Sequence, residues 1–263
     1  MGATPALAGV LGVLVGSFLN VVIHRVPART SLVTPSSHCP ECGHPVRHRH
    51  NVPVLGWVVL RGRCADCRAP ISPRYPAVEL LTALLFVAVT ARVAQLELLA
   101  ALPAFLVFVA AGVALAAIDL EVRRLPDAIV LPTYPVLAAL LGAAALVSGD
   151  LPALLRALVG AVAAFGAFYL MALAYPGGMG FGDVKLVGLV GGLLAFVAYP
   201  VLLVGMAVAF VLGALIGVAA TLRGRATRKS SVPFGPFMVA GALAALFVGG
   251  PVADLYSRAL LTS

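Results

Sequence analysis

Stretches of about twenty apolar residues recur along the whole of this 263-residue chain, and that recurrence restricts its fold more than any motif does. A run of that length crosses the roughly 30 Å hydrocarbon core of a bilayer as a helix rising about 1.5 Å per residue. Eight runs stand out, at about 5–23, 77–95, 98–118, 128–147, 151–175, 184–197, 200–221 and 235–255. The sixth is short and glycine-rich, and if Pro200 merely kinks it into the seventh the number falls to seven. With 62% hydrophobic and 11% charged residues, the composition lies far from that of a soluble domain. The expected fold is therefore an all-α polytopic membrane protein of about eight transmembrane helices. The first run lacks a basic leader or a small-residue cleavage site and reads as a retained span rather than a removed signal peptide.

Arginine placement orients the bundle. Residues 24–76 hold eight (Arg25, Arg29, Arg47, Arg49, Arg61, Arg63, Arg68, Arg74), and Arg123, Arg124, Lys185 and the stretch from Arg223 to Lys229 add seven more basic residues. Fifteen of the eighteen basic residues thus fall on one side, leaving Arg92, Arg156 and Arg258 toward the other. By the positive-inside rule the rich side is the cytosol, and both termini lie outside. The same rule accounts for the net charge of +8 without invoking nucleic acid as a partner.

The one sizeable polar segment, residues 24–76, makes a small cytosolic insertion between the first two spans. It carries Cys39-Pro40-Glu41-Cys42 and Cys64-Ala65-Asp66-Cys67, two C-x2-C pairs with 21 residues between them. That spacing suits a structural zinc held by Cys39, Cys42, Cys64 and Cys67. A pair of redox dithiols is the rival, and a cytosolic setting disfavours disulfides. His38, His44, His48 and His50 read as solvated, since four thiolates already fill a tetrahedral site. Bound zinc would contribute folding energy to a segment with little core of its own.

Two acids, Asp119 and Asp183, sit at ends of apolar runs, the second closing Gly180-Phe181-Gly182-Asp183. An ionised side chain in hydrocarbon costs about 2.5–3.5 kcal/mol on insertion scales, so an acid so placed faces a watery cavity and marks a functional site. Two spans separate the pair in the eight-span reading, which puts both at the cytosolic level. Neighbouring carboxyl groups share one proton, so one can accept a proton from water while the other polarises a carbonyl. Gly180 and Gly182, lacking Cβ atoms, let a substrate backbone approach Asp183. Alone, the string also fits a loop whose acid caps a helix.

The wider pattern resembles the type IV prepilin peptidases, membrane aspartyl proteases of the GxGD kind. The C-terminal two-thirds carries the likeness in Gly178-Met179-Gly180-Phe181-Gly182-Asp183-Val184-Lys185-Leu186 and in Ile118-Asp119 followed by Arg124-Leu125-Pro126-Asp127. The N-terminal third is similar to the bifunctional members in Gly16-Ser17-Phe18-Leu19-Asn20, the four cysteines, Asn51-Val52-Pro53-Val54, Arg61-Gly62-Arg63-Cys64 and Ile71-Ser72-Pro73-Arg74-Tyr75-Pro76. The resemblance implies a bacterial inner-membrane enzyme that cuts the basic leader from type IV prepilins and pseudopilins at the cytosolic face, with Asp119 and Asp183 catalytic. It further implies N-methylation of the new terminus from S-adenosylmethionine, although no glycine-rich fingerprint marks a methyl-donor pocket. Residues 1–97, including the 24–76 segment, would form the zinc-bearing methyltransferase part, and 98–263 the protease. His24 and Gly56-Trp57 depart from the commoner family residues, and both lie in the methyltransferase part.

Glu121 and Asp127 make an acidic spot beside the pair and are candidate contacts for a basic leader, with capping of the fourth helix the alternative for Asp127. Glu79 is expected to reach back to the interface or to serve methylation, and Lys185 to anchor a span's cytosolic end. A peptidase without methyltransferase activity, a transporter and a non-enzymatic zinc-bearing assembly factor are the rival classes. A transporter would place its acids mid-span and show a repeat between halves, and neither pattern is read here. The sequence assigns no oligomeric state.

Overall fold

A computed structural model of the chain describes residues 3–175, 179–223 and 233–261. Gly177 and Gly178, the basic residues Arg225, Arg228 and Lys229, and the chain end at 262–263 lie outside the described residues, as do the side chains of His48 and of residues 251–261, Asp254 and Arg258 among them. Each apolar run of the sequence is a helix: α1 (Ala3–Arg25), α3 (Arg74–Gln95), α4 (Leu102–Val122), α5 (Asp127–Ser148), α6 (Leu151–Ala174), α7 (Phe181–Val197), α8 (Tyr199–Leu222) and α9 (Gly235–Leu261), with a short α2 (Leu55–Val59) in the polar segment. Among the described residues, six helices are long and apolar enough to cross a membrane; α7 and α9 are not among them. At 17 residues α7 is about 26 Å long, a little less than the hydrocarbon core. The last helix, α9, continues as far as Leu261.

The chain divides into two compact units, residues 1–91 and 92–263. In the first, α1 and α3 touch through glycines. A Cβ on Gly12 would stand 2.6 Å from the Ala83 Cα, and one on Gly16 2.7 Å from the Glu79 Cα. Small residues bring helix backbones into contact where lipid offers no hydrophobic drive to association.

In the second unit α7 is the core. From Val184 to Leu194 every residue except Lys185 and Gly192 is buried, the pattern of a helix apolar all round and enclosed by neighbours. It packs against α5, α6, α8 and α9. The α6 crossing is made by Gly160 and Gly191. Ala198, extended at φ −169° and ψ 151°, ends α7, and Pro200 sits in the first turn of α8 where its missing N–H costs nothing. Leu194 lies against Gly205. Eleven residues along one continuous helix would hold those positions about 16 Å apart, so the chain reverses here and Pro200 does not merely kink a single span. The same close packing recurs between α8 and α9, where a Cβ on Gly241 would stand 2.5 Å from the Gly205 carbonyl oxygen.

The α6–α7 crossing is testable by adding one methyl group. A Cβ on Gly191 would stand 2.5 Å from the Gly160 carbonyl oxygen and 2.7 Å from the Ala164 Cβ. Gly191→Ala is therefore expected to cost about 1–3 kcal/mol, read as a lower melting temperature in detergent. Gly142→Ala, with no described atom within 4 Å of the new carbon, should leave the melting temperature unchanged. Equal melting temperatures for the two variants would refute this packing.

Candidate active site and metal centre

The two sequence-singled aspartates come from opposite ends of their helices. Asp119 lies in the last turn of α4, which closes on Arg123 in a left-handed conformation whose N–H bonds the Asp119 carbonyl at 2.9 Å. Asp183 lies in the first turn of α7, three residues after the extended Gly180 that precedes the helix. The α5–α6 hairpin runs out and back between them, so the end of α4 and the start of α7 meet at one end of the bundle. The Asp119 carboxylate is near enough for its charge to act on Asp183. Asp119 is only 5% exposed and accepts a hydrogen bond from the Gly235 N–H at 3.1 Å. The Asp183 carboxylate lies beside Gly180, its Oδ2 3.4 Å from where a Gly180 Cβ would stand, and the Asp183 N–H bonds the Gly180 carbonyl at 3.0 Å.

Leu125 is the wedge of this arrangement. A Cβ on Gly182 would stand 2.9 Å from the Leu125 Cβ, and one on Gly235 3.2 Å from its Cδ2. The space at Gly182, read from sequence as room for a substrate, is thus filled by Leu125. At Gly180 the only described atom within 4 Å of a Cβ would be the Asp183 Oδ2, at 3.4 Å, so that side stays open.

Asp127 and Lys185 are joined to each other, a pairing the sequence does not display. Asp127 is the first residue of α5 after Pro126, and its carboxylate meets the Lys185 ammonium at 2.7 Å instead of capping the helix. Lys185 also lies 4.9 Å over the Phe181 ring, and its carbonyl accepts the Tyr134 hydroxyl at 2.6 Å. Lys185 therefore ties α7 to α5 rather than reaching out alone. Glu121 is exposed beside Asp119. Gly235 was not singled out by the sequence reading. Its signal was the flanking pair of prolines in Pro233-Phe234-Gly235-Pro236.

In the first unit the four cysteine sulfurs lie within 4.8 Å of one another, with Cys39 and Cys67 at 3.8 Å. Sulfurs bound at about 2.3 Å to a tetrahedral zinc stand about 3.8 Å apart, so the cluster fits a divalent ion with no large movement. The two loops are copies of one design. The first cysteine N–H bonds the carbonyl five residues on (Cys39 to His44, 3.0 Å; Cys64 to Ala69, 2.8 Å). The N–H four residues on bonds back (Gly43 to Cys39, 2.9 Å; Arg68 to Cys64, 3.1 Å). The residue after each second cysteine is left-handed, Gly43 at φ 72° and Arg68 at φ 64°. Both loops close with an antiparallel bridge to a proline, His38 with Pro45 and Arg63 with Pro70. The Arg47–Asp66 ion pair, at 2.7 Å, links the copies. Backbone N–H groups of Cys67 and Asp66 aimed at the Cys64 sulfur bring its thiol down to about 7. At Cys42 the His44 backbone lowers the thiol, but desolvation and the neighbouring thiols outweigh it and push it up to about 12, so the cluster holds its protons unevenly.

Glu79 is buried at 7% exposure and accepts the Val54 N–H from the polar segment at 2.6 Å. It staples the polar segment to α3 at a residue of unusual conformation, Val54 at φ 60°. The Gly56-Trp57 pair also has a local cause: a Cβ on Gly56 would collide with the His50 carbonyl, and the Trp57 indole donates to the Ile71 carbonyl at 3.0 Å.

Comparison with known proteins shows the family. A family model described as type IV leader peptidase family matches residues 106–218, and one described as bacterial peptidase A24 N-terminal domain matches residues 10–93. A prepilin leader peptidase/N-methyltransferase of Burkholderia pseudomallei is 38% identical over 95% of this chain and 87% of its own length. The chain belongs to the type IV leader peptidase family. Proteins of the same description from Aeromonas hydrophila (35% identical, over 95% of this chain and 93% of the relative) and Neisseria gonorrhoeae (36% identical, over 88% and 85%) agree along nearly their full lengths. No solved structure matches the chain.

The cysteine cluster predicts a stoichiometric metal. Purified protein should carry about one zinc per chain by elemental analysis, and Cys39→Ser with Cys42→Ser should lose it, since two thiolates cannot close the tetrahedron. Full metal retention in that variant would overturn the site.

Proposed function

We propose that this chain is a bifunctional membrane enzyme that cleaves the basic leader from type IV prepilins and pseudopilins and methylates the amine it exposes. The observation that carries the peptidase half is the meeting of two carboxylates from separate helices at one end of the bundle, one of them almost wholly buried. Asp119 and Asp183 act as a dyad sharing one proton. The ionised member takes a proton from water, the protonated member polarises the scissile carbonyl, and no covalent intermediate forms. Gly180 leaves the approach to Asp183 open, whereas Gly182 makes room for Leu125. The site lies at the cytosolic face of the bacterial inner membrane, in agreement with the arginine distribution. Eight helices lie in the membrane, α7 and α9 included, and residues 98–263 form the peptidase.

Glu121 and Asp127 receive the basic leader. Asp127 is engaged by Lys185, so a leader cation exchanges with that ammonium rather than meeting a bare acid. Residues 1–97 form the methyltransferase part. Its donor is S-adenosylmethionine, whose activated methyl group passes to the amine; the names of the relatives support this half. The cysteine cluster of residues 24–76 holds a structural zinc, because four thiolates leave no open position for catalysis.

Asp119→Asn and Asp183→Asn are each expected to abolish leader cleavage of a prepilin peptide bearing its first helix, with melting temperature and zinc content unchanged. Cleavage at the wild-type rate in both would discard the dyad. In the unmodified enzyme the mature product should gain the mass of one methyl group when the donor is supplied. Glu121→Lys with Asp127→Lys should raise KM for basic leaders several-fold with kcat little changed. Unaltered kinetics would remove these two acids from leader recognition.

A further inference from the structure

The amide of Gly235 reaches the dyad from a third segment of the chain. We propose that the Pro233-Phe234-Gly235-Pro236 turn is a third component of the peptidase centre, with Gly235 as the positioning residue that fixes the Asp119 carboxylate. This rests on the dyad reading above.

The first turn of a helix has N–H groups without intrahelical partners, and here those of residues 235–238 are accounted for. The Phe237 and Met238 N–H groups both return to the Phe234 carbonyl at 3.1 Å. Pro236 has no N–H to offer. The Gly235 N–H is left over, and it points into the bundle at Asp119 Oδ2, 3.1 Å away. A buried carboxylate needs donors to hold one orientation, and this one comes with the favourable polarity of a helix start.

Glycine is required by space. A Cβ at 235 would stand 2.9 Å from the Asp119 Oδ2 and 3.2 Å from the Leu125 Cδ2, so any other residue would push the carboxylate or the wedge aside. The neighbouring Phe234 fixes the turn. Its ring packs 5.3 Å from that of Phe210 on α8, 6.3 Å from Phe168 on α6 and 6.4 Å from Phe237 on α9. Three helices thereby set where the amide lies. Gly112 on α4 completes the approach, for a Cβ there would meet the Val239 Cγ1 at 2.9 Å and hold α9 away from Asp119's own helix.

The test uses the full-length enzyme and a prepilin peptide carrying its first helix, with kcat and KM measured separately. Gly235→Ala keeps the N–H and adds the intruding carbon. Gly235→Pro adds the carbon and removes the donor, at a first-turn position that tolerates proline. We expect kcat to fall at least ten-fold in the alanine variant and further in the proline variant, with KM within two-fold of wild type. The pH profile of kcat should be displaced in both variants and not in Gly166→Ala, whose new carbon meets no described atom within 4 Å. If the Gly235 variants fail to fold, Phe234→Leu carries the test, since it leaves the glycine intact and loosens only the ring stack; a fall in kcat at constant KM is expected there too. Folded Gly235 variants, or failing those a folded Phe234→Leu, with wild-type kcat, KM and pH profile would overturn the proposal. Asp119→Asn, assayed alongside, separates the two readings: if it is inactive while the turn variants are normal, only the role of the turn falls, and if it is active the dyad falls and this inference with it.

Discussion

How closely other helices can approach α7 governs the arrangement of the second unit. This helix is apolar nearly all round, so it must be covered on every side, and the cover is tight where glycine replaces a side chain, at Gly160 and Gly191 toward α6 and at Gly205 and Gly241 in the α8–α9 pair behind it. Lipid tails are as apolar as leucine, so cohesion there comes from dispersion contacts that reward close approach and are lost when a methyl group intervenes. The position of Asp183 follows from that packing, because it stands in the first turn of the enclosed helix. A carboxylate on a loosely held helix would have no fixed relation to one on α4.

The polar contacts at the same end serve a second purpose. Lys185 meets Asp127, overlies Phe181 and lends its carbonyl to Tyr134, so α5 and α7 are joined by two hydrogen bonds within one turn of Asp183. The ion pair itself is partly exposed and contributes little to stability, on the scale of about 0–1 kcal/mol for surface pairs. Its value lies in orientation. Leu125 supplies the apolar counterpart, seated between the starts of α7 and α9 where both chains present glycine.

Much of this was legible in the sequence. Long apolar runs carry their signal in composition alone, and each became a helix with ends a few residues from the expected ones. Cysteine spacing was equally informative, because a tetrahedral cluster constrains both loops. The duplicated hydrogen-bond scheme of the two loops was not visible, since its signature includes a left-handed arginine where the first copy has glycine. Pairings across long separations were also missed. Asp127 with Lys185, Val54 with Glu79 and Gly235 with Asp119 join residues 58, 25 and 116 positions apart. A single sequence shows which groups need partners but carries no record of which helices become neighbours. The reversal at Ala198 was ambiguous for a related reason: proline at 200 is compatible with a kinked helix and with the first turn of a new one.

The bond between Gly235 and Asp119 joins the last described helix to one completed more than a hundred residues earlier. During synthesis, the ribosome must therefore carry the chain past residue 235 before the buried carboxylate receives its amide. A chain stalled after α8 holds both acids yet lacks this contact, so a nascent or truncated product differs from the finished enzyme at a buried acid.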